Sequence, residues 1–132
     1  REHVEMGYKM HGNSLQAYIA NENLNKLDSK NSTLQEIRLT YNDALGYSNT
    51  SNHLYRIRVK DNRSFLQNMS TEGIQCGIHY AAFHKSPLVN SQQRLEKSEK
   101  EERQTVSLPF HEKLKNEEIQ YIINKIKGST NE

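Results

Sequence analysis

Residues 14–46 read SLQAYIANENLNKLDSKNSTLQEIRLTYNDALG, and this stretch decides the fold. Leu15, Ile19, Leu24, Leu27, Leu34, Ile37, Tyr41 and Leu45 recur mostly at spacings of three, four and seven. That period predicts an amphipathic helix, long or broken, with apolar side chains gathered on one side. Ser14 is suited to cap its start and Gly46 to stop it. The polar run from Asp28 to Thr33 is the expected point of bending or splitting. A helix of this length exceeds what a small sheet can cover, so something else is expected to bury part of it.

Working outward, His53-Leu54-Tyr55-Arg56-Ile57-Arg58-Val59 alternates, with Tyr55, Ile57 and Val59 on one face and the arginines on the other, as in a half-buried strand. Asp61 or Asn62 is placed to cap a short helix holding Phe65, Leu66 and Met69, ended by Gly73. Ile74, Cys76 and Ile78 alternate as a second strand, and residues 80–91 form a loop. Residues 92–104 are almost wholly polar. Their Glu96/Lys100 and Glu99/Arg103 spacings allow a weakly held, solvated helix. Thr105–Leu108 is a third short strand stopped by Pro109. A last helix follows, capped by Asn116 and buried along Ile119, Ile122, Ile123 and Ile126. The expected organisation is an irregular entry segment over 1–13, one small α+β domain over 14–127 with about three strands and helices on one side, and a disordered tail over 128–132.

Composition bounds the function. The 132 residues are one domain's worth, and 33% apolar content with a mean hydropathy of −0.96 makes a thin core. Eighteen basic against 16 acidic residues leave a net charge of +2, too balanced for a dedicated binder of nucleic acid or anionic membrane. No apolar run approaches the ~18–20 residues that span a bilayer. The opening Arg1-Glu2-His3-Val4-Glu5 has no apolar signal core, so a cytoplasmic location is expected. The lone Cys76 excludes an internal disulfide and a cysteine zinc site and fits a reducing compartment. In that setting the four Asn-x-Ser/Thr tripeptides are accidents of an Asn-rich chain.

Generic catalytic constellations are missing. None of the six histidines pairs with another at the i,i+4 spacing of a metal pair, so no metal site is expected. There is neither a nucleophile-elbow sequence nor a nucleotide-binding glycine loop. Arg56 and Arg58 could contact an anionic ligand or simply form a solvated strand face.

Two stretches are more specific: Gly7-Tyr8-Lys9-Met10-His11-Gly12-Asn13-Ser14-Leu15-Gln16-Ala17-Tyr18-Ile19-Ala20 and Gly73-Ile74-Gln75-Cys76-Gly77-Ile78-His79-Tyr80. Together with His53-Leu54-Tyr55, Ser107-Leu108-Pro109 and Glu117-Glu118-Ile119, in that order, they resemble the C-terminal third of the DegT/DnrJ/StrS sugar aminotransferases. The resemblance implies the small domain of a fold-type-I pyridoxal phosphate enzyme. It also implies transfer of an amino group, usually from glutamate, to a keto-sugar nucleotide. In that chemistry a lysine forms the Schiff base and a carboxylate keeps the pyridine nitrogen protonated. The family carries both groups upstream of the region matched here, so no catalytic residue is expected in this chain and the chain alone is expected to be inactive.

A supporting role follows from the same resemblance. Lys9, His11 and Asn13 occupy the entry motif that reaches the cofactor phosphate of a neighbouring subunit in homodimeric members. Here Lys9 and His11 replace the family's asparagine and arginine, and Asn13 could supply the amide; capping and orienting the helix is the other role open to residues 7–13. His79 and Tyr80, where a strand passes into a loop, correspond to the sugar-nucleotide side of the site or pack as a strand end. The implied partner is a cofactor-binding domain on the same precursor or on another chain. A non-catalytic interaction module derived from the family is the alternative. Because the long helix lacks its usual cover, the isolated chain is expected to self-associate or partly unfold. Sedimentation tests this, and a stable cooperative monomer would contradict it.

Overall fold

The computed structural model describes residues 12–86, 89 and 93–129. Five helices and a two-stranded sheet form a mixed α+β arrangement: α1 (Ser14–Asn25), α2 (Leu27–Leu45), β1 (Tyr55–Arg58), α3 (Asn62–Thr71), α4 (Glu96–Gln104), β2 (Thr105–Leu108) and α5 (Asn116–Ser129). A single 3-10 turn, Phe83–Lys85, interrupts the loop expected after residue 80.

The opening helix is broken, two residues before the polar run expected to break it. Lys26 ends α1 and starts α2, and its N–H donates to the Asn23 carbonyl. The run itself stays helical. The hydroxyls of Ser32 and Thr33 donate back to the carbonyls of Asp28 and Ser29, at 3.0 and 3.2 Å, which accommodates these residues within a helix. Asn13 rather than Ser14 caps α1. Its Oδ1 accepts from the Gln16 N–H at 2.9 Å and its own N–H donates to Gln16 Oε1 at 3.1 Å, a reciprocal capping box. Of the two candidates for α3, Asp61 is the cap, accepting from the Ser64 N–H at 2.8 Å. At α5 the cap position falls to Lys115, one residue before Asn116. Its N–H donates to Glu118 Oε2 at 2.8 Å and its carbonyl accepts from the Ile119 N–H. The helix continues through Ser129, and residues 130–132 lie outside the described residues.

β1 and β2 pair antiparallel, with Tyr55 opposite Leu108 and Arg58 opposite Thr105. The strand expected over Ile74–Ile78 is reduced to one bridge, while the one expected over Thr105–Leu108 forms as β2. The Gly77 N–H donates to the Ser107 carbonyl at 2.9 Å, and the Ser107 N–H donates to the Gly77 carbonyl at 2.8 Å. β1 alternates buried and exposed, placing Tyr55 and Ile57 inside. These residues meet Ile37 and Tyr41 of α2, Phe65 and Met69 of α3, Val106 and Leu108 of β2, and the four isoleucines of α5. Each fully buried side chain of this kind contributes about 1.5–3 kcal/mol. Tyr41 and Tyr55 are fully buried with ring centroids 4.9 Å apart, and both hydroxyls are satisfied. Tyr41 donates to the Pro109 carbonyl and Tyr55 to Asn42 Oδ1.

α4 buries no residue. Among the described residues its expected Glu96–Lys100 and Glu99–Arg103 pairs do not form. Its carboxylates instead reach out to other elements: Glu101 to Arg58, Glu102 to Lys85 at 2.7 Å, and Glu99 to His84 at 3.4 Å. The buried Asn62 amide adds hydrogen bonds to the carbonyls of Glu102 and Thr105, at 2.6 and 3.2 Å. No described helix is long and apolar enough to cross a membrane.

Two stability predictions follow from this core. Ile123→Ala, at a position 2% exposed, should cost about 2–5 kcal/mol in urea unfolding. Alkali should destabilise the fold in two steps. Burial pushes the Cys76 thiol from 9.0 up to about 11 and the Tyr55 hydroxyl from 10.0 up to about 12. The unfolded chain therefore gives up these protons first. The stabilisation is complete below pH 9 and is lost as pH climbs toward 11 and then 12. Cys76→Ala should delay the onset of that loss by about one pH unit, read from urea midpoints across the range.

Candidate functional site

The sheet edge where the chain leaves the Gly77 bridge carries the residues singled out by sequence. His79 and Tyr80 stand together there, their rings edge to face with centroids 5.2 Å apart. Both line a cleft of about 420 Å³, together with Arg56, Phe83, and Lys97 and Glu101 of α4. Tyr80 is 71% exposed and Phe83 75%, so two aromatic residues stand at the cleft outside the core. His79 is half-buried, and its Nδ1 is buried with no hydrogen-bond partner.

Gly77 lies directly beneath this imidazole. A Cβ built on Gly77 would sit 2.8 Å from His79 Cε1. The ring occupies space that any side chain at position 77 would fill.

Ion pairs hold the α4 residues of the cleft. Arg58 engages Glu101, and the Lys85 ammonium keeps the Glu102 carboxyl below its ordinary range through a hydrogen bond. Arg56 points to the solvent face, as the strand alternation requires. Its backbone is fastened at the edge by Asn49, which donates to the Arg56 carbonyl at 2.9 Å and accepts from its N–H at 3.3 Å.

One contact beside the cleft was not foreseen. His84 and Glu99 face each other across the 3-10 turn and α4, with side chains only 10% and 15% exposed. His84 is five residues beyond His79 in sequence, but its partner stands on a polar helix whose charges read as solvated. Cys76 is partly buried and packs against the core. His53 is exposed, its backbone N–H donating to the Ser51 hydroxyl.

The entry motif is placed differently. Lys9 and His11 lie outside the described residues. Asn13 stands at the head of α1 and is not among the described residues that line the His79 cleft. Its Oδ1 is committed to the cap, while its Nδ2 has no partner among the described residues. α1 itself buries no residue. Leu15, Tyr18 and Ile19, which share a face, are 67%, 65% and 51% exposed. No cluster of three potential metal ligands occurs among the described residues.

Comparison with solved structures places this arrangement. An aminotransferase from Brucella abortus named for the DegT, DnrJ, EryC1 and StrS proteins superposes with a TM-score of 0.87 at 23% identity, over 99% of this chain and 39% of that one. Helicobacter pylori PseC, an aminotransferase involved in the biosynthesis of pseudoaminic acid, gives 0.85 at 21% identity, over 98% of this chain and 40% of its own. The PMP form of Spr1654 from Streptococcus pneumoniae gives 0.83 at 21%, over 97% and 38%. The chain thus spans well under half the length of each structure it matches. Curated proteins yield no match. The model of the DegT/DnrJ/EryC1/StrS aminotransferase family matches residues 1–127, nearly all of the 132, and the chain belongs to that family.

Proposed function

We propose that these residues are the C-terminal, ligand-facing domain of a pyridoxal phosphate-dependent aminotransferase that acts on keto-sugar nucleotides. The observation that carries the reading is the exposed apolar face of α1 in a chain whose residues 1–127 the family model matches. A face of contiguous apolar side chains is a surface made to be covered. In this reading the cofactor-carrying part of the family covers it, on the same precursor or on a partner chain, and the complete protein is a cytoplasmic homodimer.

The chain's residues fit a supporting role toward the cofactor. The Nδ2 of Asn13, without a partner among the described residues, is a donor suited to a phosphate oxygen. Lys9 and His11 add cationic or donor groups in the same entry motif. When bound, the cofactor supplies an electron sink for breaking and making bonds at the amino-bearing carbon. His79 and Tyr80 orient the sugar nucleotide in the cleft, with Tyr80 offering an aromatic face and His79 a ring nitrogen. The lysine that carries the cofactor belongs to the part of the family that these residues do not span, so this chain alone does not transfer amino groups.

Assay of amino transfer from glutamate to a keto-sugar nucleotide tests the proposal. The chain alone should be inactive, and the chain joined to the family's cofactor-carrying part should be active. In the joined protein, His79→Ala should raise the KM for the sugar nucleotide about tenfold or more, with little change in that for glutamate. Activity of the chain alone, or borohydride trapping of pyridoxal phosphate on one of its own lysines in stoichiometric yield, would overturn the reading.

A further inference from the structure

We propose that Gly77 is a positioning residue: it sets the seat of the His79 ring and, through that ring, the affinity of the cleft for its ligand. The affinity half rests on the function proposed above, whereas the positional half stands on geometry alone. The three heavy atoms nearest to a Cβ built at Gly77 all belong to the His79 imidazole: Cε1 at 2.8 Å, Nδ1 at 3.4 Å and Nε2 at 3.6 Å. The first distance is shorter than real Cβ contacts allow, so a methyl group there forces a displacement.

The backbone of position 77 is the less movable partner. Its N–H and carbonyl both bond to Ser107, at 2.9 and 2.8 Å, and Ser107 is buried in β2 between this segment and β1. The ring is the more movable one. Its buried Nδ1 makes no hydrogen bond, so its place is set by contact with Gly77 and with the edge of Tyr80. Gly77 also differs from Gly46 and Gly73, which hold a φ of 72°. Its φ lies outside the left-handed region, so alanine meets the ring without straining the backbone. The absence of a side chain at 77 thus serves the neighbour two residues on.

Gly77→Ala in the whole chain should shift the ring resonances of His79 in NMR and leave those of His53, His84 and His111 in place. Unchanged His79 resonances would overturn the proposal. Any loss of stability caused by Gly77→Ala should vanish in a His79→Ala background, because the clash then has no second party. An equal loss in both backgrounds would overturn it, and this comparison holds even if the single variant folds poorly.

In the chain joined to the cofactor-carrying part, Gly77→Ala should raise the KM for the sugar nucleotide roughly ten- to a hundredfold. It should leave the KM for glutamate unmoved and add nothing to His79→Ala. A joined protein that transfers amino groups with a sugar-nucleotide KM insensitive to Gly77→Ala overturns this inference. One with no transfer at all overturns the functional reading on which its affinity half depends.

Discussion

The pairing of β2 on both of its edges is the constraint on which the remainder of the structure depends. One edge holds β1 in a four-residue register, and the other holds Gly77 through two hydrogen bonds to Ser107. The first pairing fixes which side chains enter the core. A slip of one residue would turn Tyr55 and Ile57 outward and bring Arg56 and Arg58 in, an exchange the fold could not survive. The second pairing fixes where the chain stands as it departs toward His79 and Tyr80. Core and cleft are therefore two consequences of one short strand.

The thin composition makes this economy visible. With apolar residues at 33%, the core is concentrated on the sheet's inner face and on α2, α3 and α5. α4 contributes nothing to it and is attached by polar contacts. Its ion pairs with Arg58 and Lys85 are exposed on the basic side, and pairs of that kind contribute about 0–1 kcal/mol each. The Asn62 amide matters more. It is buried, it satisfies two carbonyls at the junction of α4 and β2, and a buried donor left without acceptors costs about 1–3 kcal/mol. The wall of the cleft that faces His79 thus hangs on one buried asparagine and a set of screened charges.

Much of this was legible in the sequence, and the limits have physical causes. The isoleucine stripe of α5 and the alternation of β1 were readable because burial imposes a period on apolar residues. The helix caps were displaced by one residue at Asn13 and Lys115, since a cap is chosen by the partner that answers it, Gln16 or Glu118, and not by residue type alone. The break at Lys26 fell before the polar run because hydroxyls bonding backward kept that run helical. The strand expected over Ile74–Ile78 shrank to a bridge at Gly77, which no local pattern could foretell. For the site, His79 and Tyr80 were legible as a pair and are a pair in space. The His84–Glu99 contact was not, because it joins a turn to a helix 15 residues away whose charges looked solvated. The capping role weighed for residues 7–13 is visible at Asn13, whose amide oxygen is spent on the helix while its nitrogen is not.

The same scarcity of apolar residues bears on α1. A chain so short of core material that one helix is held by charges nevertheless leaves Leu15, Tyr18 and Ile19 half or more exposed on one helical face. Scattered apolar residues on a surface need no explanation, but three on one helical face in a chain this polar do. The capping box at Asn13 sharpens the point. It stabilises the start of a helix none of whose residues is buried, and capping is worth only about 1 kcal/mol. Short helices are marginal in water without packing. Cap and exposed apolar face together fit the proposed reading, in which the family's cofactor-carrying part covers this helix.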